Sequence, residues 1–140
     1  MKDKNEIVKM IQKKRTGVLA TVDNGKPRLR PMDIGFFYDD RLYFSTFSSS
    51  DKVSQMRSSA DVEVLWMLDD MSQIRLEGQV EEVMDAGLKV RYLNDNTDAK
   101  GMFGDSSNKD YLLFRVTPVE IKYMDSSDSK YNRICLSTGS

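Results

Sequence analysis

Apolar and polar residues alternate with a period of two through much of this chain, which is the period of β-strands. The cleanest run is Gln73–Val83. Ile74, Leu76, Gly78 and Val80 point one way there, and Gln73, Arg75, Glu77, Gln79 and Glu81 point the other. One face of such a strand meets a core and the other meets water or a partner. Gly17–Val22 is apolar and β-prone, and the Asn-Gly pair within Asp23–Lys26 is a strong hairpin signal. Pro27–Phe37 then reads as the returning strand. Asp39 and Asp40 turn the chain into a third strand, Arg41–Phe47, and Asp61–Leu68 forms a fourth. Asp69–Ser72 turns that strand into the Gln73–Val83 run. A last strand, Tyr111–Val116 with Val119–Met124, is interrupted by Pro118, which predicts an edge or a bulge there.

Helical spacing is confined to short stretches. Glu6–Lys14 places Ile7, Met10 and Ile11 on one side and lysines on the other. Ser50 stands at the capping position of a helix over Asp51–Ser58, with Val53 and Met56 sharing a face. Met84–Asn94 reads as a third helix, with Met84, Leu88 and Arg91 or Tyr92 along one side. Asp95–Asp110 is polar and glycine-punctuated, the pattern of a mobile loop or lid, with Phe103 as a small anchor. Asp125–Ser140 is serine-rich and reads as a loosely held tail. The prediction is one domain over residues 1–124 and a tail over 125–140. Antiparallel strands joined by hairpins, with short helices at the crossovers, predict a mainly β fold: a six-stranded antiparallel Greek-key barrel. Trp66 is expected to fill its core.

Composition narrows the chemistry. With 39% hydrophobic and 31% charged residues, the chain suits a globular protein rather than a disordered one. A net charge of −1 lacks the basic excess of a nucleic-acid binder. No run has the length of a transmembrane helix, and Met1–Arg15 lacks the apolar core of a signal peptide. Cys135 is the single cysteine, so no intrachain disulfide forms and a cytoplasmic location is expected. Histidine is absent, which removes His-containing zinc sites, Ser-His-Asp triads and Cys-His pairs. No metal site is expected.

The richest segment chemically is Leu42–Lys52, LYFSTFSSSDK. A strand ends there in a hydroxyl-rich turn carrying one lysine at a helix start. Hydroxyls, free backbone N–H groups and an ammonium are what a terminal phosphate needs. Serine-rich turns also occur simply because serine caps helices, so the segment alone leaves both readings open. The glycine spacings of a Walker loop and of a Rossmann site are absent.

Three segments in order, GVLATVDNGKPRLRPM (Gly17–Met32), LYFSTFSSSDK (Leu42–Lys52) and SQIRLEGQVEEV (Ser72–Val83), resemble the FMN-binding split barrels related to pyridoxamine 5′-phosphate oxidase. The nearest flavour is the short general-stress-protein-26-like branch, and the resemblance runs from about Glu6 to Met124. It implies a homodimer of six-stranded split barrels with FMN in the cleft between subunits. By that resemblance Arg30 meets the flavin phosphate or ribityl chain, and Pro31 and Met32 lie along the isoalloxazine edge. Ser45 and Thr46 contact the flavin end of the cradle, Ser50 and Lys52 hold the phosphate, and Gln73 reaches the flavin. For Arg30 the residues alone offer a plainer reading, an ion pair with Glu63 or Asp33.

Departures from the family pattern limit what carries over. The true oxidase has a lysine where this chain has Gly35, and its Arg-Pro-Arg substrate segment is missing from Val90–Gly101. The expectation is therefore an FMN-dependent oxidoreductase of unknown substrate that is not a vitamin B6 oxidase, with a nicotinamide or small organic molecule as redox partner. A non-catalytic FMN carrier or electron-transfer module and an F420-binding relative are the alternatives. No catalytic residue is assigned.

Overall fold

The computed structural model describes residues 2–136. Its elements are α1 (Lys4–Lys14), β1 (Thr16–Asp23), β2 (Lys26–Asp33), β3 (Phe36–Tyr38), β4 (Arg41–Phe47), α2 (Asp51–Ser58), β5 (Asp61–Met67), β6 (Gln73–Glu82), α3 (Ala86–Asp95), α4 (Thr97–Phe103), β7 (Tyr111–Met124) and β8 (Asn132–Ile134). The strands form one antiparallel sheet in the order β2-β1-β5-β6-β7-β4-β3, with β8 paired to β7. The fold is a mostly β split barrel with a few short helices, as expected, but with eight strands rather than six.

Two differences account for the extra strands. The expected run Pro27–Phe37 breaks at Ile34 and Gly35 into β2 and β3. These two strands are the opposite edges of the sheet, so the chain itself crosses the gap that no ladder closes. Buried Trp66 holds the crossing, its indole N–H donating to the Ile34 carbonyl at 3.0 Å. A Cβ on Gly17 would lie 2.8 Å from that indole nitrogen, so only glycine lets the ring sit against β1. The eighth strand comes from the segment read as a tail. Asn132–Ile134 pairs with Ile121–Tyr123 and buries Ile134 in the barrel core. These residues are docked rather than loose because one apolar side chain and an open strand edge suffice to hold them.

Pro118 marks a bulge on a locally open edge. It faces Gly78 where the β6–β7 register shifts, and residues 117–120 pair only with β6, between the stretches of β7 that also pair with β4 and β8. Asn24 and Gly25 both adopt positive φ, as do Asp39 and Asp40, the conformation that tight two-residue hairpins require.

Two apolar clusters organise the interior. The larger fills the barrel with Ile7, Leu19, Phe44, Trp66, Leu76, Phe114 and Ile121 among others. The smaller lies outside it, where Tyr43, Tyr111 and Leu113 meet Tyr92, Leu93, Ala99 and Phe103 of α3 and α4. Asp95–Asp110 is thus no plain loop. Asn96 ends α3 and caps α4, accepting from the Ala99 N–H at 3.1 Å, and the Phe103 ring packs at a tilt 4.6 Å from Phe47 and 5.0 Å from Tyr111. On α3, Tyr92 and Leu93 face inward while Met84, just before the helix, is 78% exposed.

Candidate functional site: two cations at the start of α2

The β1–β2 hairpin register sets which residues face α2. Leu19 pairs with Arg30 and Gly17 with Met32, so Arg30 and Met32 share the inward face of β1. Pro31 and Leu29 pair with Val18 and Ala20 and face outward. Because β2 is an edge strand, an inward-facing arginine there lies beside α2 without being sealed in the core.

The Arg30 guanidinium donates to the Thr21 hydroxyl at 2.7 Å, the Gln55 side-chain oxygen at 3.0 Å and the Leu19 carbonyl at 3.2 Å. The Thr21 hydroxyl in turn donates to Gln55 at 2.6 Å. Three neutral acceptors therefore fix the arginine, and no carboxylate does. Glu63 is held by Arg75 at 3.0 Å and Asp33 by Arg15 at 2.7 Å, so neither forms the ion pair that the plainer reading of Arg30 required.

Lys52, in the first turn of α2, donates to the Ser50 hydroxyl at 2.7 Å. Ser50 occupies the N-cap position, but its side chain makes no capping bond, so the first-turn N–H groups keep no side-chain acceptor. Desolvation lowers the Lys52 pKa, nearby Arg30 lowers it further, and Asp51 opposes this. Desolvation likewise lowers that of Arg30, against Asp51. Among the described residues neither cation has a salt bridge. Two partly desolvated cations, a hydroxyl and a helix N-terminus lie together at the start of α2. Such a group of donors fits an anion, and a dianion best.

The other expected residues fall elsewhere. Thr46 is buried, and Met32 packs against the barrel core. Ser45 pairs with Leu113 on the side of the smaller cluster, where it is a partner of the Tyr92 phenol. Gln73 opens β6 on its outward face and accepts a hydrogen bond from the Tyr131 hydroxyl. Within one chain Gln73 and Arg30 look to opposite faces of the sheet, so they do not meet. Thr21 and Gln55 were missed from the sequence. Thr21 carried a signal in hindsight, a hydroxyl at an inward position of an apolar strand; Gln55 lies three residues after Lys52 on the same helix.

These features define a small split β-barrel with a cluster of hydrogen-bond donors where β2 meets α2. The chain belongs to the pyridoxamine 5′-phosphate oxidase family, whose match spans residues 3–125. It is 30% identical to a solved structure of General Stress Protein 26 from Bacillus anthracis, with TM-score 0.76, over 93% of this chain and 97% of that one. A pyridoxamine 5′-phosphate oxidase-related, FMN binding protein from Nostoc punctiforme shares the fold at 20% identity, TM-score 0.74, 93% of this chain and 88% of that one. A FAD-binding protein from Mesorhizobium loti does so at 20% identity, TM-score 0.66, covering 86% and 92%. Among curated proteins none matches. No helix among the described residues is long and apolar enough to cross a membrane.

Proposed function

We propose that this protein is an FMN-binding flavoprotein, a flavin-dependent oxidoreductase acting as a cytoplasmic homodimer. The observation that carries the reading is the Arg30–Lys52 pair, two cations held close, partly desolvated, and without carboxylate partners. The FMN phosphate would lie against Arg30, Ser50, Lys52 and the start of α2. Met32, Pro31, Ser45, Thr46 and Gln73 complete the set assigned to the flavin. The bound flavin supplies two-electron chemistry, taking or giving a hydride from a nicotinamide or small organic partner. This chain's residues bind and orient it, and no catalytic residue is assigned.

The dimer follows from the split of the set. Arg30 on β2 lies beside Lys52 of α2, whereas Gln73 and Pro31 face outward, so one flavin reaches both groups only if a second copy presents the outward ones. Leu29, 68% exposed, and the partly buried Val18, Ala20 and Leu65 make that outward face apolar enough to be covered.

Gly35 supports excluding pyridoxamine phosphate oxidation. A Cβ there would lie 2.9 Å from the Arg15 Cα and 3.1 Å from the Ile11 carbonyl, so the position has no room for the oxidase's lysine.

The test is an absorbance spectrum of purified protein incubated with FMN and freed of unbound ligand. Retained flavin bands at about one FMN per chain support the reading. Colourless protein with no affinity for FMN defeats it; parallel incubations with FAD and F420 tell which relative it resembles instead.

A further inference from the structure

Gln73 has one amide, whose oxygen accepts and whose nitrogen donates two hydrogens. Its oxygen accepts from the Tyr131 hydroxyl, from the segment just before β8. Tyr131 is itself held. The Arg75 guanidinium stands 5.1 Å from the centre of its ring, and Arg75 is fixed in turn by Glu63 at 3.0 Å. β8 anchors the segment by pairing Asn132 with Tyr123 and burying Ile134. Tyr131 and Arg75 also wall a cavity of about 280 Å³ on the outward face, over Val18, Ala20 and Leu65, with Leu29 at its edge.

We propose that Tyr131 is a positioning residue for the flavin. By donating to the Gln73 oxygen, it holds the amide with that oxygen toward Tyr131 and its N–H groups toward the cleft. The ligand atoms matched by that orientation are hydrogen-bond acceptors, such as the carbonyl oxygens of the isoalloxazine pyrimidine ring. A donor fixed there favours the reduced flavin, on which negative charge accumulates. Tyr131 and Gln73 act together from the subunit opposite the one whose Arg30 and Lys52 hold the phosphate. This inference rests on the FMN reading above. It goes further by assigning a role to the C-terminal segment and a direction to the Gln73 amide.

The experiment compares wild type, Tyr131→Phe and Gln73→Glu, loaded with FMN. Dissociation constants come from flavin fluorescence, midpoint potentials from equilibration with reference dyes, and folding is checked by melting temperature. Tyr131→Phe keeps the ring over Arg75 and loses only the hydroxyl. It is expected to weaken FMN about two- to tenfold, the range of one neutral hydrogen bond, and to lower the midpoint potential with an unchanged melting temperature. Gln73→Glu, which has no donor, is expected to weaken FMN more. Wild-type affinity and potential in Tyr131→Phe, with FMN still bound, overturn the role of Tyr131 and leave the flavin reading standing. Wild-type protein that binds no FMN overturns both.

Discussion

At the scale of single residues, charge decides the cradle. Asp33 and Glu63 alternate to the outward face, away from inward-facing Arg30, and are paired there with Arg15 and Arg75. Replacing Arg30 or Lys52 with alanine is expected to cost about 1.5–3 kcal/mol of FMN binding, the scale of a hydrogen bond to a charged group. Titration of each variant with FMN by fluorescence quenching measures this; affinity unchanged in both variants would remove them from the site. The lowered pKa of Lys52 sets a pH dependence whose sign can be worked out. Between its folded and unfolded pKa values the unfolded chain binds more protons, so the ligand-free protein gains stability as pH rises through that window. Binding of a phosphate dianion runs the opposite way. It needs charged Lys52, so affinity is expected to fall as pH rises through the lowered Lys52 pKa. It is also expected to fall below about pH 6, where a phosphate monoester takes up its second proton. Calorimetric titration across pH checks both limbs. Lys52→Arg, which stays charged, is expected to keep binding at alkaline pH.

At the scale of elements, packing overrides composition. Residues 95–110 are polar enough to read as a lid, yet Asn96 caps α4 and Phe103 closes the second cluster. Phe103→Ala is expected to destabilise the fold by about 3–5 kcal/mol, as for other buried phenylalanines. Denaturant unfolding measures it, and a change under 1 kcal/mol would restore the loop reading. Gly78 shows the same principle at the bulge. A Cβ there would stand 2.5 Å from the Thr117 carbonyl oxygen and 2.6 Å from a Val116 methyl, so Gly78→Ala forces β7 away from β6. Its expected cost is about 1–3 kcal/mol, the range for overpacking, read from the same unfolding curves. The alternation along β6 and the Asn-Gly hairpin were legible in the sequence because both are local. The break at Ile34–Gly35 was not, since it depends on Trp66, thirty-odd residues away in the chain.

At the scale of the whole molecule, the proposed flavin site needs two chains. Leu29→Asp places a charge on the exposed outward face while leaving the barrel core untouched. Light scattering after size exclusion is expected to show wild type at twice the chain mass and the variant at one. FMN retention should drop with it, because Gln73 and Arg30 then no longer share a ligand. A monomeric wild type that still holds FMN would mean one barrel suffices. The sequence by itself determined the strand periods, the hairpins and, through its three ordered motifs, the family. These are short-range patterns, written in residue spacing of two or in turn chemistry. Only the tertiary structure decided that Arg30 lies by Lys52, that Thr21 and Gln55 hold it, and that Gln73 turns away toward Tyr131. Those relations join separate elements, with sequence separations of 9, 25 and 58 residues for the Thr21, Gln55 and Tyr131 bonds, and they follow from sheet order and from the face each side chain takes.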